Sequence, residues 1–345
     1  MSDAKNSPNR LRACVIGLGP FGMLHARVYH ENPATELVAL CTRNTSRLQR
    51  AGEALGVRKL YTDYRELLRR EENEIDVVSI ATPDSTHAEI ANMALSLDKN
   101  VFLEKPMCST LEEADAIIEN SRKSKGKIMV DFILRFDPRY IEAKEIVERG
   151  SVGKILALHT RRHASSDFAK TQGRYSNLFR SSTVHDIDIM LWLTSAFPSR
   201  VYATGNRSIS IDGASDDSVL GILEFKDRGI VGSLDANWVL PTNFPSQLES
   251  ELRIVGESGV VDVTGQNQGL EEIASDGLRR PDLSFWPDIQ GRIGGALRDA
   301  VTSFVSCIAT NKNPPAGPQE GKNALRVALA LEESARTHLP VELKW

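Results

Sequence analysis

The chain has 345 residues, enough for two domains of ordinary size. Its composition, 41% hydrophobic and 26% charged, is that of a folded globular protein and excludes a disordered or fibrous chain. A formal net charge of −4 gives no electrostatic reason for a nucleic-acid or anionic-membrane partner, and neither is expected.

Residues 1–10 are polar, contain Pro8 and lack the apolar core of a signal peptide, so they read as a flexible tail. From 11 to 131, short runs rich in Val, Ile and Leu (11–16, 37–42, 76–81, 100–103 and 127–131) alternate with amphipathic stretches (47–55, 88–97 and 111–122). That alternation predicts an α/β domain, a doubly wound parallel sheet of the Rossmann type. After Asp131 the rhythm changes. Helices are expected at 138–149 and 182–192 and a strand at 154–163. Strands then follow at 200–205, 218–225, 230–240, 251–255 and 259–263, parted by glycines and polar turns. These predict an α+β domain over 132–345 with a large open, mainly antiparallel sheet. Helices at 297–309 and 320–337 close the chain. No run is apolar for long enough to span a membrane. Cys14, Cys41, Cys108 and Cys307 form no CxxC pair, and the first two read as buried thiols. The pattern is that of a reduced, cytoplasmic protein.

Gly17-Leu18-Gly19-Pro20-Phe21-Gly22 fits G-x-G-x-x-G between the strand at 11–16 and a helical stretch, the context this motif requires. Gly17 would permit the tight turn, Gly19 the close approach of a pyrophosphate, and Gly22 close packing of helix on strand. The helix N-terminus would offer its N–H groups to the phosphates. About 20 residues on, an NAD enzyme usually carries an acid for the ribose hydroxyl. Here the strand ends in Thr42 and Arg43, suited to a 2′-phosphate, so NADP is expected over NAD. Glu104-Lys105-Pro106 follows the strand at 100–103, at the carboxyl edge where ligands of open α/β sheets bind. A lysine beside an oxidised nicotinamide has its pKa lowered toward a useful range, and the Lys–Pro bond is a candidate for the cis form.

The run Ala81-Thr82-Pro83-Asp84-Ser85-Thr86-His87 and then Glu104-Lys105-Pro106 resembles the Gfo/Idh/MocA oxidoreductases. The resemblance extends through Arg135-Phe136-Asp137-Pro138 and His185-Asp186-Ile187-Asp188 to the closing helices. It implies hydride transfer between a nicotinamide cofactor and a secondary alcohol or ketone of a sugar, cyclitol or related molecule. It also implies a homodimer or homotetramer built on the open sheet. Thr82, Pro83, His87 and Glu104 would lie on the cofactor side. Lys105 and His185 would polarise the substrate oxygen and move its proton. Arg135, Arg174, Tyr175, Ser181 and Asp188 are the candidates for substrate contact, with Asp188 one turn from the imidazole. The chain departs from many inositol-dehydrogenase-like members at Ser181, where they carry Asp four residues before the histidine. Serine holds no charge, which leaves a dyad of Lys105 and His185. The departure also suits a non-catalytic dinucleotide-binding regulator; chemistry on a tightly bound nicotinamide without net redox is a further alternative.

No metal site is expected. His159 and His163 share a strand face but have no third ligand nearby in sequence. Arg161 and Arg162 read as a solvated edge, the alternative being a place in the substrate crevice facing an acidic or phosphorylated sugar.

Overall fold

The computed structural model describes residues 10–345 apart from 168–169, 171–175, 208–215 and 247. The tail, Arg10 excepted, and the candidates Arg174 and Tyr175 therefore lie outside the described residues. By their contacts the residues divide into two compact units: Met1–Ile133 with Trp286–Lys322, and Leu134–Phe285 with Asn323–Trp345.

In the first unit, β1 (Leu11–Ile16), β2 (Thr35–Cys41), β3 (Lys59–Tyr61), β4 (Val77–Ile80), β5 (Asn100–Leu103) and β6 (Ile128–Val130) form one sheet in the order β3-β2-β1-β4-β5-β6. Every pairing is parallel. This is the dinucleotide-binding order, with its switch point between β1 and β4. The strands are nearly continuous apolar runs because helices cover both faces; all four residues of β4 are buried. Five helices alternate with them: α1 (Pro20–Glu31), α2 (Thr45–Leu55), α3 (Tyr64–Arg70), α4 (Asp84–Ser96) and α5 (Leu111–Lys123). Local chemistry sets their starts. Asn44 accepts the Arg47 amide at 2.9 Å, and Thr110 and Glu113 form a capping box. The strand β3 and helix α3 are too short and too charged to have stood out in the sequence.

The segment Trp286–Lys322 completes this unit. A hairpin of Asp288–Ile289 and Arg292–Ile293 holds α1, where Arg27 bonds Asp288 at 2.9 Å and Glu31 accepts the Ile293 amide at 2.8 Å. The helix Gly295–Ala309 packs on α1.

The second unit is built on β7 (Ile155–Ser165), β8 (Arg200–Asn206), β9 (Ser218–Phe225), β10 (Ile230–Leu240), β11 (Leu248–Gly256) and β12 (Val260–Thr264). Their order is β12-β11-β7-β10-β9-β8, with the short strand Val341–Glu342 on the far edge. The β7–β10 pair is parallel; every other pair is antiparallel. Strict alternation along β9 and β10 puts Val219, Leu223, Leu234, Ala236 and Trp238 into the core. Helix α6 (Pro138–Glu148) packs by β12, and α7 (Val184–Thr194) packs on β7. Gly232 lets Met190 of α7 reach the sheet: a Cβ there would stand 2.9 Å from the Met190 sulfur. The opposite face is open, with Leu220 57%, Ile222 48% and Val231 50% exposed.

Candidate active site

The glycine motif lies at the β1–β4 switch point, and its three glycines have separate steric duties. Gly17 has φ +93°, and a Cβ on it would meet the Ala81 carbonyl at 2.2 Å. A Cβ on Gly22 would sit 1.9 Å from the Gly17 carbonyl oxygen. Nothing lies within 4 Å of a Cβ built on Gly19. Pro20 opens α1, and no side chain caps its first turn. A cradle that is tight on its inner side, open at Gly19 and uncapped at a helix N-terminus fits a diphosphate. Phe21 packs edge-on against Trp286, with ring centroids 5.2 Å apart. Beyond β2, Thr42 donates its amide to the Tyr61 carbonyl, and the Arg43 side chain is exposed.

On the other side of the switch point, β4 and β5 end in two linked turns. The Glu104 amide bonds the Ile80 carbonyl at 3.0 Å. The Lys105–Pro106 bond is cis. His87, buried on α4, has Nδ1 2.8 Å from the Pro106 carbonyl and Nε2 2.8 Å from the Thr82 carbonyl. It ties the Thr82–Pro83 turn to the Lys105–Pro106 turn. Thr86 secures the former: its hydroxyl donates to the Pro83 carbonyl at 2.8 Å and lies 2.8 Å from the Thr82 hydroxyl.

In the second unit, the helix that carries His185 begins as a π-turn, Phe179–Thr183, and continues as α7. Wide turns of this kind collect at functional sites. Ser181 lies in it, buried, with its amide on the Asn177 carbonyl at 2.8 Å. Trp238 of β10 donates from Nε1 to Ser182 Oγ at 2.9 Å. His185 is half-buried on the first turn of α7.

The two aspartates of this helix each hold a buried guanidinium in a two-point grip. Asp188 binds Nε and Nη2 of Arg135 at 2.8 and 2.7 Å. Asp186 binds Nε and Nη2 of Arg162 at 2.8 Å each. Burial pushes Asp186 up, against the pull of the Arg162 charge and hydrogen bonds. Arg162 is thus a buried partner, not the solvated edge expected of it. Arg161 does face outward, toward Asp235 and Glu251. Asp137 caps α6 by accepting the Arg139 amide. His163 lies between Asp235 and Glu249, and His159 bonds Ser233, all on the open sheet face.

Lys105 therefore belongs to the first unit and His185 to the second. The buried roles of His25, Asp131 and Asp186 were missed in the sequence, for no local pattern marks a charge whose partner lies on another element.

Comparison with known proteins agrees with this architecture. Residues 11–132 match the model of the Gfo/Idh/MocA oxidoreductase family with NAD-binding Rossmann fold, and residues 140–262 match the Gfo/Idh/MocA C-terminal domain. The chain belongs to this family, and it is an NAD(P)-dependent oxidoreductase acting on CH–OH groups. It is 28% identical over 97% of each chain to the scyllo-inositol 2-dehydrogenase (NAD(+)) of Bacillus subtilis. It is 26% identical, over 97% of this chain and 99% of the relative, to the myo-inositol 2-dehydrogenase of Thermotoga maritima. The crystal structure of myo-inositol 2-dehydrogenase from Lactobacillus plantarum superposes with a TM-score of 0.86 at 26% identity, covering 97% of this chain and 100% of that one. All four cysteines are free thiols, and Cys14 and Cys41 are buried, as expected. Among the described residues no helix is long and apolar enough to cross a membrane.

Proposed function

We propose that this chain oxidises a secondary alcohol of a cyclitol or related sugar, reversibly, to the ketone. The observation that carries the reading is Lys105 at the carboxyl end of β5, in the sheet whose switch point bears the glycine cradle. Full-length similarity to inositol dehydrogenases supports the substrate class.

The bound nicotinamide supplies the acceptor for the hydride that leaves the carbinol carbon. Lys105 polarises the substrate oxygen, and His185 takes the hydroxyl proton as the carbonyl forms. Thr82, Pro83, His87 and Glu104 shape the cofactor side of the turn that presents the lysine. Ser181 offers the substrate a neutral hydrogen bond where a charge is common in relatives. Arg135 and Asp188, engaged with each other, brace α7 next to the substrate. Thr42 and the exposed Arg43 favour the 2′-phosphate of NADP, for the residues that follow β2 in sequence, Thr42, Arg43 and Asn44, include no acid to hold a ribose hydroxyl. The apolar residues on the open face of the second sheet suit a second copy of the chain, in a dimer or tetramer.

The test is reduction of NAD+ and NADP+ by purified protein with myo-inositol and scyllo-inositol. Turnover is expected, with Lys105→Ala and His185→Ala lowering kcat by about 100-fold or more at unchanged cofactor affinity. Cofactor binding with no turnover of cyclitols or sugars would leave the second reading, a dinucleotide-binding regulator, which Ser181 favours.

A further inference from the structure

The first unit encloses two ionisable groups, His25 and Asp131, that the proposed chemistry does not use. His25 of α1 is wholly buried, with Nδ1 2.9 Å from Ser79 Oγ of β4. Its Nε2 faces two carboxylates, Glu104 Oε1 at 3.2 Å and Asp131 Oδ2 at 3.5 Å. Ionised carboxylates only accept hydrogen bonds, so Nε2 carries a proton. The ring packs edge-on to Phe102, itself buried.

Glu104 links this cluster to the site. Its second oxygen, Oε2, accepts the backbone N–H of Lys105 at 3.1 Å. Past the lysine, His87 holds the Pro106 carbonyl. The Lys105–Pro106 pair is thus gripped on both sides, and one grip runs back through Glu104 to His25.

The titratable groups that face one another come from every neighbouring element: His25 and Tyr29 of α1, Cys14 of β1, His87 of α4, Glu104 and Lys105 after β5, and Asp131 after β6. Burial alone would push the His25 imidazole down; the hydrogen bonds and charges of Asp131 and Glu104 overcome it and raise the pKa to about 9. Burial lifts Asp131 to about 6, with Glu104 adding to the rise and His25 and Lys105 opposing it. Burial would raise Glu104 too, but His25, Lys105 and His87 together hold it below the usual carboxylate range.

We infer that His25 is a positioning residue for Lys105: as an imidazolium it fixes the Glu104 carboxylate that holds the Lys105 amide, and it balances the charge of Glu104 and Asp131 behind the lysine. With both carboxylates ionised, the His25–Glu104–Asp131 cluster behind the Lys105 ammonium carries one negative charge when His25 is an imidazolium and two when the residue there is neutral. The inference rests on the reading of Lys105 as the polarising group, so it is tested on the lysine itself, without substrate.

The experiment is competitive acetylation of the full-length protein by acetic anhydride from about pH 6 to 11, with the Lys105 peptide followed by mass spectrometry. His25→Gln keeps an N–H donor but no charge, and should raise the Lys105 midpoint by about one pH unit. Adding Asp131→Asn restores the charge sum and should bring the midpoint back toward that of the wild type. If both variants titrate with the wild type, His25 only fills the core and the inference is overturned. Should His25→Gln not fold, nitrogen-15 NMR of the wild-type histidine rings decides. Both His25 nitrogens protonated at neutral pH supports the inference, and a neutral ring ends it. A wild-type protein that turns over no cyclitol would count against the proposed function, while the labelling result would still decide this point.

Discussion

Asp188 gives both carboxylate oxygens to Arg135, at 2.8 and 2.7 Å, in a pair that is buried on both sides. This geometry bears on what the aspartate does. A carboxylate spent on a guanidinium is a brace for α7 first, whatever its nearness in sequence to His185. Asp188→Asn should therefore cost about 3 kcal/mol or more of stability by urea unfolding, because it leaves a buried cation unbalanced. The pH profile of kcat should stay in place. A displaced profile at full stability would return Asp188 to the imidazole.

Gly19 and Gly22 should fail in different ways. The Cβ of Gly22→Ala would strike the Gly17 carbonyl, so that variant should melt lower and lose dinucleotide affinity together. Gly19→Ala meets open space within the protein and should fold as the wild type does, yet bind the dinucleotide about 10-fold or more weakly. Thermal melts alongside NADH and NADPH titrations read both. Equal affinities for wild type and Gly19→Ala would mean that the diphosphate does not approach there.

His25 should make stability fall as the solution becomes alkaline. Its folded pKa, about 9, lies above the ordinary 6.5, so its contribution is full below 6.5 and is lost as the pH rises through 9. Asp131, raised to about 6, acts in the same sense at lower pH. Between about pH 6 and pH 9, the wild type should lose up to about 3 kcal/mol more than His25→Gln does. Parallel curves from denaturant unfolding would show that the imidazole is not protonated in the folded state.

Arg43 carries the cofactor preference in the proposed reading. Arg43→Ala should weaken NADPH by about 10-fold and leave NADH nearly unchanged. A wild type that already binds NADH more tightly would reverse the assignment.

Much of the fold was legible because its signals are local. Strands β1 and β5 were bounded to the residue, since a parallel strand buried on both faces is a nearly continuous apolar run. The glycine motif was legible for a similar reason: φ +93° at Gly17 and the contact at Gly22 exclude a side chain. The open face of the second sheet showed in the alternation of β9 and β10. The start of the His185 helix was less visible. Its first turn is a π-turn held by Thr183 on the Phe179 carbonyl, and Trp238 reaches it from a distant strand. By itself, then, the sequence determined the parallel, doubly wound sheet of a dinucleotide domain, the glycine cradle after its first strand and the lysine that follows β5. Tertiary structure alone decided which charges share a buried partner: Arg135 with Asp188, Arg162 with Asp186, and His25 with Glu104 and Asp131. It alone returned residues 286–322 to the first unit. The reason is physical: backbone periodicity is written in neighbouring residues, whereas a buried charge is tolerated only where another part of the chain supplies its counter-charge.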